Sequence, residues 1–285
     1  MSESLTIAVC LRLAQQLTAV SESPRLDIEI LLAHILQKER TFLFTWPETA
    51  LTREQEDQFT AAFERRLGGE PVAHIIGQRE FWSLPLFVNN TTLIPRPDTE
   101  LLVETILNLF ASDMHNQPRQ VLDLGTGTGA IVLALAHEKK HWHCLGVDNQ
   151  PDAVQLAQRN RDHLQLHNVT IRQSDWFTAV DQTDFDVIVS NPPYIAADDP
   201  HLQQGDVRFE PLSALVADNQ GFRDIENIVQ QAKHYLLPNG WLLIEHGYQQ
   251  GLAVRRLFEQ SGYAAIQTLS DLGGNERVTL GKKAG

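Results

Sequence analysis

The stretch Val121-Leu122-Asp123-Leu124-Gly125-Thr126-Gly127-Thr128-Gly129-Ala130, running into Ile131-Val132-Leu133-Ala134-Leu135-Ala136, leaves this 285-residue chain few choices of fold. Val121 to Leu124 reads as a buried strand. Three glycines at alternate positions suit a tight turn, because glycine alone adopts positive φ at little cost. The apolar run that follows reads as the start of a buried helix. Strand, glycine turn and helix in that order open a βαβ unit, whose parallel strands require helical crossovers. A chain built this way should go on alternating strand and helix.

From about residue 97 it does. Leu145-Gly146-Val147-Asp148 reads as a second strand ending in an acid, Val169-Thr170-Ile171-Arg172 as a third, and Phe185-Asp186-Val187-Ile188-Val189-Ser190 as a fourth. The alternation predicts an α/β fold with a doubly wound, mainly parallel sheet over 97–285. Residues 1–77 differ. Leu5, Ala8, Val9, Leu13 and Leu17 repeat at helical spacing, Ser23-Pro24 reads as a helix start, and Thr52 with Gln55 reads as a capping box. A small N-terminal helical bundle is predicted there. Between them, residues 78–96 read as a β-hairpin linker, with strands at Glu80-Phe81-Trp82 and Leu86-Phe87-Val88 and the turn at Asn89-Asn90.

The glycine turn is a place where a nucleotide-like ligand approaches the backbone. Gly125, Gly127 and Ala130 also satisfy the dinucleotide pattern G-x-G-x-x-A, so a nicotinamide cofactor has to be weighed. Asp148, at the end of the second strand, suits the two hydroxyls of a ribose in either case. Asp123 is poorly placed for a pyrophosphate but suits a ligand with an ammonium group. Ser174-Asp175-Trp176-Phe177 adds an acid and two aromatics for an adenine. Together these favour the methyl donor S-adenosylmethionine, held by Gly125, Thr126, Gly127, Thr128, Gly129, Asp148, Asp175 and Trp176.

The fourth strand ends in Asn191-Pro192-Pro193-Tyr194. Prolines lack an N–H, so this lip displays acceptors and few donors. Such a lip suits an NH2 group on a planar system. The side-chain oxygen of Asn191 and the backbone carbonyl of Pro192 are the candidate acceptors, with Pro193 and Tyr194 completing the substrate contact. Asn191 also lies at the carboxyl end of its strand, within reach of the cofactor's amino-acid tail. An ordinary strand-exit turn is the alternative.

At this point the chain resembles the class I S-adenosylmethionine-dependent methyltransferases. More narrowly, it resembles the protein-glutamine N5-methyltransferases of peptide chain release factors (the PrmC/HemK type). The resemblance runs through Gly69-Glu70-Pro71-Val72-Ala73-His74, Arg79-Glu80-Phe81-Trp82, Leu93-Ile94-Pro95-Arg96-Pro97-Asp98-Thr99-Glu100, the glycine turn and the lip. It continues through Phe209-Glu210-Pro211-Leu212-Ser213-Ala214-Leu215 and Asn275-Glu276-Arg277-Val278. It implies a seven-stranded sheet with one late antiparallel strand at Glu276-Arg277-Val278-Thr279-Leu280. The implied reaction is methyl transfer from S-adenosylmethionine to the glutamine amide of the Gly-Gly-Gln loop in class 1 release factors, with the helical bundle docking the protein substrate. A ribosomal-protein glutamine, or an adenine or guanine amino group of nucleic acid, remains an alternative substrate for the same lip.

Composition narrows these. The formal net charge of −13 supplies no basic platform for phosphate, against a nucleic-acid substrate. No apolar run is long enough to span a membrane. Only Cys10 and Cys144 are present, in keeping with a reducing cytoplasm rather than a disulfide framework. The 11 histidines show no metal-ligand spacing; His141 with His143 and His163 with His167 are read as structural. A monomer is expected.

Overall fold

The computed structural model describes residues 5–111 and 117–285. The chain divides into two compact units, Met1–Gln78 with Pro200–Phe209, and Arg79–Asp199 with Glu210–Gly285.

In the first unit, helices Ile7–Arg12, Pro24–Leu36, Arg40–Thr45, Arg53–Leu67 and Val72–Ile76 enclose a core that includes Ile7, Leu17, Ile28, Leu32, Leu43 and Phe59. The capping box forms: Thr52 Oγ1 accepts from Gln55 N at 3.3 Å, and Gln55 Oε1 accepts from Thr52 N at 2.9 Å. Ser23 occupies the N-cap of Pro24–Leu36 without a capping bond; its hydroxyl donates to Asp27 Oδ1 at 3.4 Å. The other oxygen of Asp27 accepts from Arg66 Nε at 2.6 Å. Arg66 also donates to the carbonyls of Gly69, Glu70 and Val20, and reaches Asp206 Oδ1 at 3.4 Å, which ties the 200–209 segment into this unit.

The second unit is built on a sheet. β1 (Gln78–Phe81) and β2 (Leu84–Phe87) form a separate hairpin. Its turn is Trp82-Ser83, with φ of 51° and 59°, and not Asn89-Asn90 as the sequence suggested. Two central residues at positive φ make the hairpin turn that Asn-Gly normally signals, and Trp-Ser carries no such signal. Local bonds hold it: Trp82 N donates to Glu100 Oε1 at 2.8 Å and Trp82 Nε1 to Glu138 Oε1 at 2.9 Å. Asn89 instead accepts from Thr91 N at 3.0 Å, a short side-chain turn.

The main sheet comprises β3 (Gln120–Leu124), β4 (His143–Asp148), β5 (Val169–Gln173), β6 (Phe185–Ser190), β7 (Leu236–Glu245), β8 (Tyr263–Ser270) and β9 (Glu276–Lys283). The order is β5-β4-β3-β6-β7-β9-β8, with β9 antiparallel to both neighbours. Helices Glu100–Leu109, Ala130–Glu138 and Pro151–His163 cover one face, and Arg223–Tyr235 and Gly251–Gln260 the other. The chain leaves β3 towards β4 on one side and reaches β6 on the other, so strand order reverses between β3 and β6. Ligands of open α/β sheets bind at the carboxyl ends of the strands at such a reversal. The glycine turn follows β3 and the Asn-Pro-Pro-Tyr lip follows β6, so topology alone brings the two motifs to one place.

Candidate active site

A cavity of about 620 Å³ opens at that reversal. The turn after β3 forms its floor. Thr126 N donates to the Val147 carbonyl at 2.9 Å, and Gly127 N donates to Asp148 Oδ2 at 2.9 Å, so the turn is pinned to the end of β4. Gly129 has a φ of 84°, and a Cβ there would lie 2.8 Å from Leu133 Cδ1, so no other residue fits without movement. Asp123, expected to face an ammonium group, is fully buried and not on the cavity wall. Its Oδ2 accepts from Thr126 Oγ1 at 2.6 Å, bracing the turn from within. Burial pushes its pKa up to about 7.

Asp148 stands beside the floor, with Oδ1 accepting from Gln150 N at 2.9 Å. Burial raises its pKa, partly offset by these backbone bonds. Asp175 and Trp176 reach the cavity from the turn after β5. Ser174 shapes that turn, its hydroxyl donating to the Trp176 carbonyl at 2.8 Å and accepting from Ala179 N at 2.9 Å. Gly125 sits at a φ of 70°, a backbone conformation that favours glycine, and a Cβ there would rest in ordinary contact with the Trp176 ring at 3.4 Å. The aromatic ring, the neighbouring carboxylate and the cavity volume fit an adenosine-type ligand.

On the opposite wall stand Asn191 and Pro193. Asn191 Nδ2 donates to Thr99 Oγ1 at 3.2 Å. The structure thus brings Gly125, Thr126, Gly127, Thr128, Asp148, Asp175, Trp176, Asn191 and Pro193 to one cavity. Gly129, Pro192 and Tyr194 lie off its wall. Gly129 faces inward onto Leu133, and the Pro192 ring is buried. Tyr194 packs against the apolar cluster of the opposite sheet face, where burial raises its hydroxyl pKa.

Sequence reasoning assigned no role to several wall residues. Thr99 and Arg96 come from the Pro95–Glu100 stretch, held by Glu210, which accepts from Ile94 N at 2.9 Å and Arg96 Nη2 at 2.5 Å. Two stretches far apart in sequence are therefore one structural element. Arg223, Asn227 and Gln230 share the polar face of helix Arg223–Tyr235, whose Ile225, Ile228 and Val229 are buried. Their i, i+4, i+7 spacing was readable, but a polar helix face ordinarily meets only water.

Fold and site together define a methyltransferase, and residues 115–276 match the family model described as a methyltransferase domain. Residues 10–77 match that of the PrmC N-terminal domain. The chain is 57% identical over 262 residues to the release factor glutamine methyltransferase of Escherichia coli K12, covering 92% of this chain and 93% of that one. It is 54% identical over 286 residues to that of Shewanella oneidensis MR-1, covering 100% and 99%. Among solved structures, a methyltransferase from Pyrococcus furiosus superposes with a TM-score of 0.53 at 14% identity, covering 82% of this chain and 100% of that one, a likeness of fold. The chain belongs to the release factor glutamine methyltransferase family.

Proposed function

We propose that this protein methylates the side-chain amide nitrogen (N5) of the glutamine in the Gly-Gly-Gln loop of class 1 release factors, with S-adenosylmethionine as donor. The observation that carries the reading is that Asn191 shares one cavity with the glycine turn, Asp148 and Trp176. Backbone N–H groups of the turn, the Asp148 carboxylate and the Trp176 ring would hold the donor's adenosine, and Asp175 and Asn191 would complete its site. When bound, S-adenosylmethionine supplies an electrophilic methyl group on a sulfonium.

A carboxamide nitrogen is a poor nucleophile because its lone pair is delocalised into the carbonyl. Asn191 Oδ1 and the Pro192 carbonyl would accept its two N–H bonds and aim the lone pair at the methyl. Pro193 and Tyr194 fix the lip that presents those acceptors. Positioning of this kind contributes about 7–11 kcal/mol in favourable cases. The proton leaves to water after transfer, so no carboxylate base is required. The helical unit would dock the release factor, the chain would act as a monomer, and the setting would be the cytoplasm.

Asn191→Ala tests the reading. Turnover on purified release factor should fall ~100-fold, the scale of a misplaced reacting group. Release-factor affinity and melting temperature should change little, because β6 is untouched. Near wild-type turnover with normal donor binding would reduce the lip to a turn.

A further inference from the structure

The proposed role of Asn191 uses one atom, its side-chain oxygen. A carboxamide is nearly symmetric, however, and turned over it would present NH2 to the substrate instead. What stands behind it decides. β6 and β7 run parallel with Ser190 beside Ile244, and Asn191 and Glu245 are the next residues along the chain after that pair. Strand alternation puts both on the face of Val189 and Leu243. Glu245 is 2% exposed, and its Oε2 has no hydrogen-bond partner. The Asn191 NH2 donates to Thr99 Oγ1 at 3.2 Å, and both side chains stand close enough to the Glu245 carboxylate to pull its pKa down. Burial pushes the Glu245 pKa up to about 7, and above that pH its ionised carboxylate only accepts. The reversed carboxamide would set its oxygen against another acceptor in a site closed to water, leaving both unsatisfied.

We propose that Glu245 is a positioning residue that holds the Asn191 NH2 and so fixes the carboxamide with its oxygen toward the cavity. The inference rests on Asn191 accepting the substrate amide. Glu245 does not line the cavity, so it acts through Asn191 and not on the substrate. Thr99 Oγ1 takes the Asn191 Nδ2 hydrogen bond, but a hydroxyl that can rotate to donate or accept cannot set the orientation alone. The result is a lip that meets an NH2 group with an acceptor.

Glu245→Met keeps length and bulk while removing both acceptors. It also removes a buried carboxylate with an unpaired oxygen, so the melting temperature should hold or rise. Turnover on purified release factor should nevertheless fall about 10- to 100-fold. Glu245→Gln can accept from the Asn191 NH2 but can also donate to the reversed carboxamide, so its turnover should recover in part, above Glu245→Met and below wild type. In the Asn191→Ala background, Glu245→Met should cost less than about twofold, as for residues that act as a unit. Additive losses in the double variant would overturn the inference and leave the role of Asn191 standing. So would a loss of turnover that follows a fall in melting temperature and is not rescued by glutamine. Near wild-type turnover of Asn191→Ala alone would remove the foundation of both.

Discussion

Asn160 Oδ1 accepts from Phe87 N at 2.7 Å while its Nδ2 donates to the Phe87 carbonyl at 3.0 Å, so one side chain pairs with the end of β2 as a neighbouring strand would. The same Nδ2 donates to the Thr128 carbonyl at 2.9 Å. A single fully buried carboxamide on helix Pro151–His163 therefore joins the hairpin to the glycine turn. Asn160→Leu fills the space but leaves three backbone groups without partners. Stability should fall by roughly 2–4 kcal/mol, given about 1–3 for each buried group left unpaired and partial relaxation. Urea unfolding reads this directly, and an unchanged midpoint would mean that solvent takes over the bonds.

That bond set also marks where legibility ends. The doubly wound sheet follows from the periodicity of β3 to β6 and the glycine turn, and the position of the cavity follows from strand order. The capping box of Thr52 and Gln55 was readable because both partners lie within four residues. Asn160, Glu210 and Glu245 were not, since their partners lie 73, 116 and, for Thr99, well over a hundred residues away in sequence, or across a strand pair. A buried polar residue looks like any other polar residue until the fold supplies its neighbours. Asp123 shows the converse: its place before the glycines suggested a ligand, while its depth in β3 makes it a brace.

Arg66 is the corresponding anchor of the helical unit. Its side chain is 5% exposed and Asp27's is 9% exposed. Arg66→Met would leave Asp27 as a buried carboxylate without its cation, a change that costs about 3–5 kcal/mol. Hydrogen exchange in helix Pro24–Leu36 should accelerate accordingly. Asp27→Asn with Arg66→Met should recover part of the loss, and no recovery would show that the backbone carbonyls, not Asp27, depend on Arg66.

Asp148 should matter to the donor in two ways, as a hydrogen-bond acceptor and as the pin of Gly127. Asp148→Ala should weaken S-adenosylmethionine binding by roughly 1.5–3 kcal/mol, the range for bonds to a charged group. Calorimetry with unchanged affinity would remove Asp148 from the site. Tight binding of NAD instead would favour the dinucleotide reading of the glycine turn.

Asp123 and Glu245 give stability a pH dependence opposite to ordinary acid denaturation. Burial pushes both up to about 7, from 3.8 and 4.5. Around Glu245, Thr99, Arg277 and Asn191 pull the value down, while Asp98 pushes it up and the Tyr194 hydroxyl stands nearby. Between about pH 4 and 7 the folded state holds protons that the unfolded chain has released. The stabilising contribution is therefore complete below the unfolded values and is lost as pH rises through about 7. Glu29 and Glu70, held low by hydrogen bonds from arginines, act the other way at more acid pH. Glu245→Gln does not ionise, so its share of the slope disappears. Between about pH 5 and 8 the wild type should lose about 1–3 kcal/mol more than the variant. Urea midpoints across that range decide it: parallel curves would mean that Glu245 keeps an ordinary carboxylate pKa and that its burial is relieved by water.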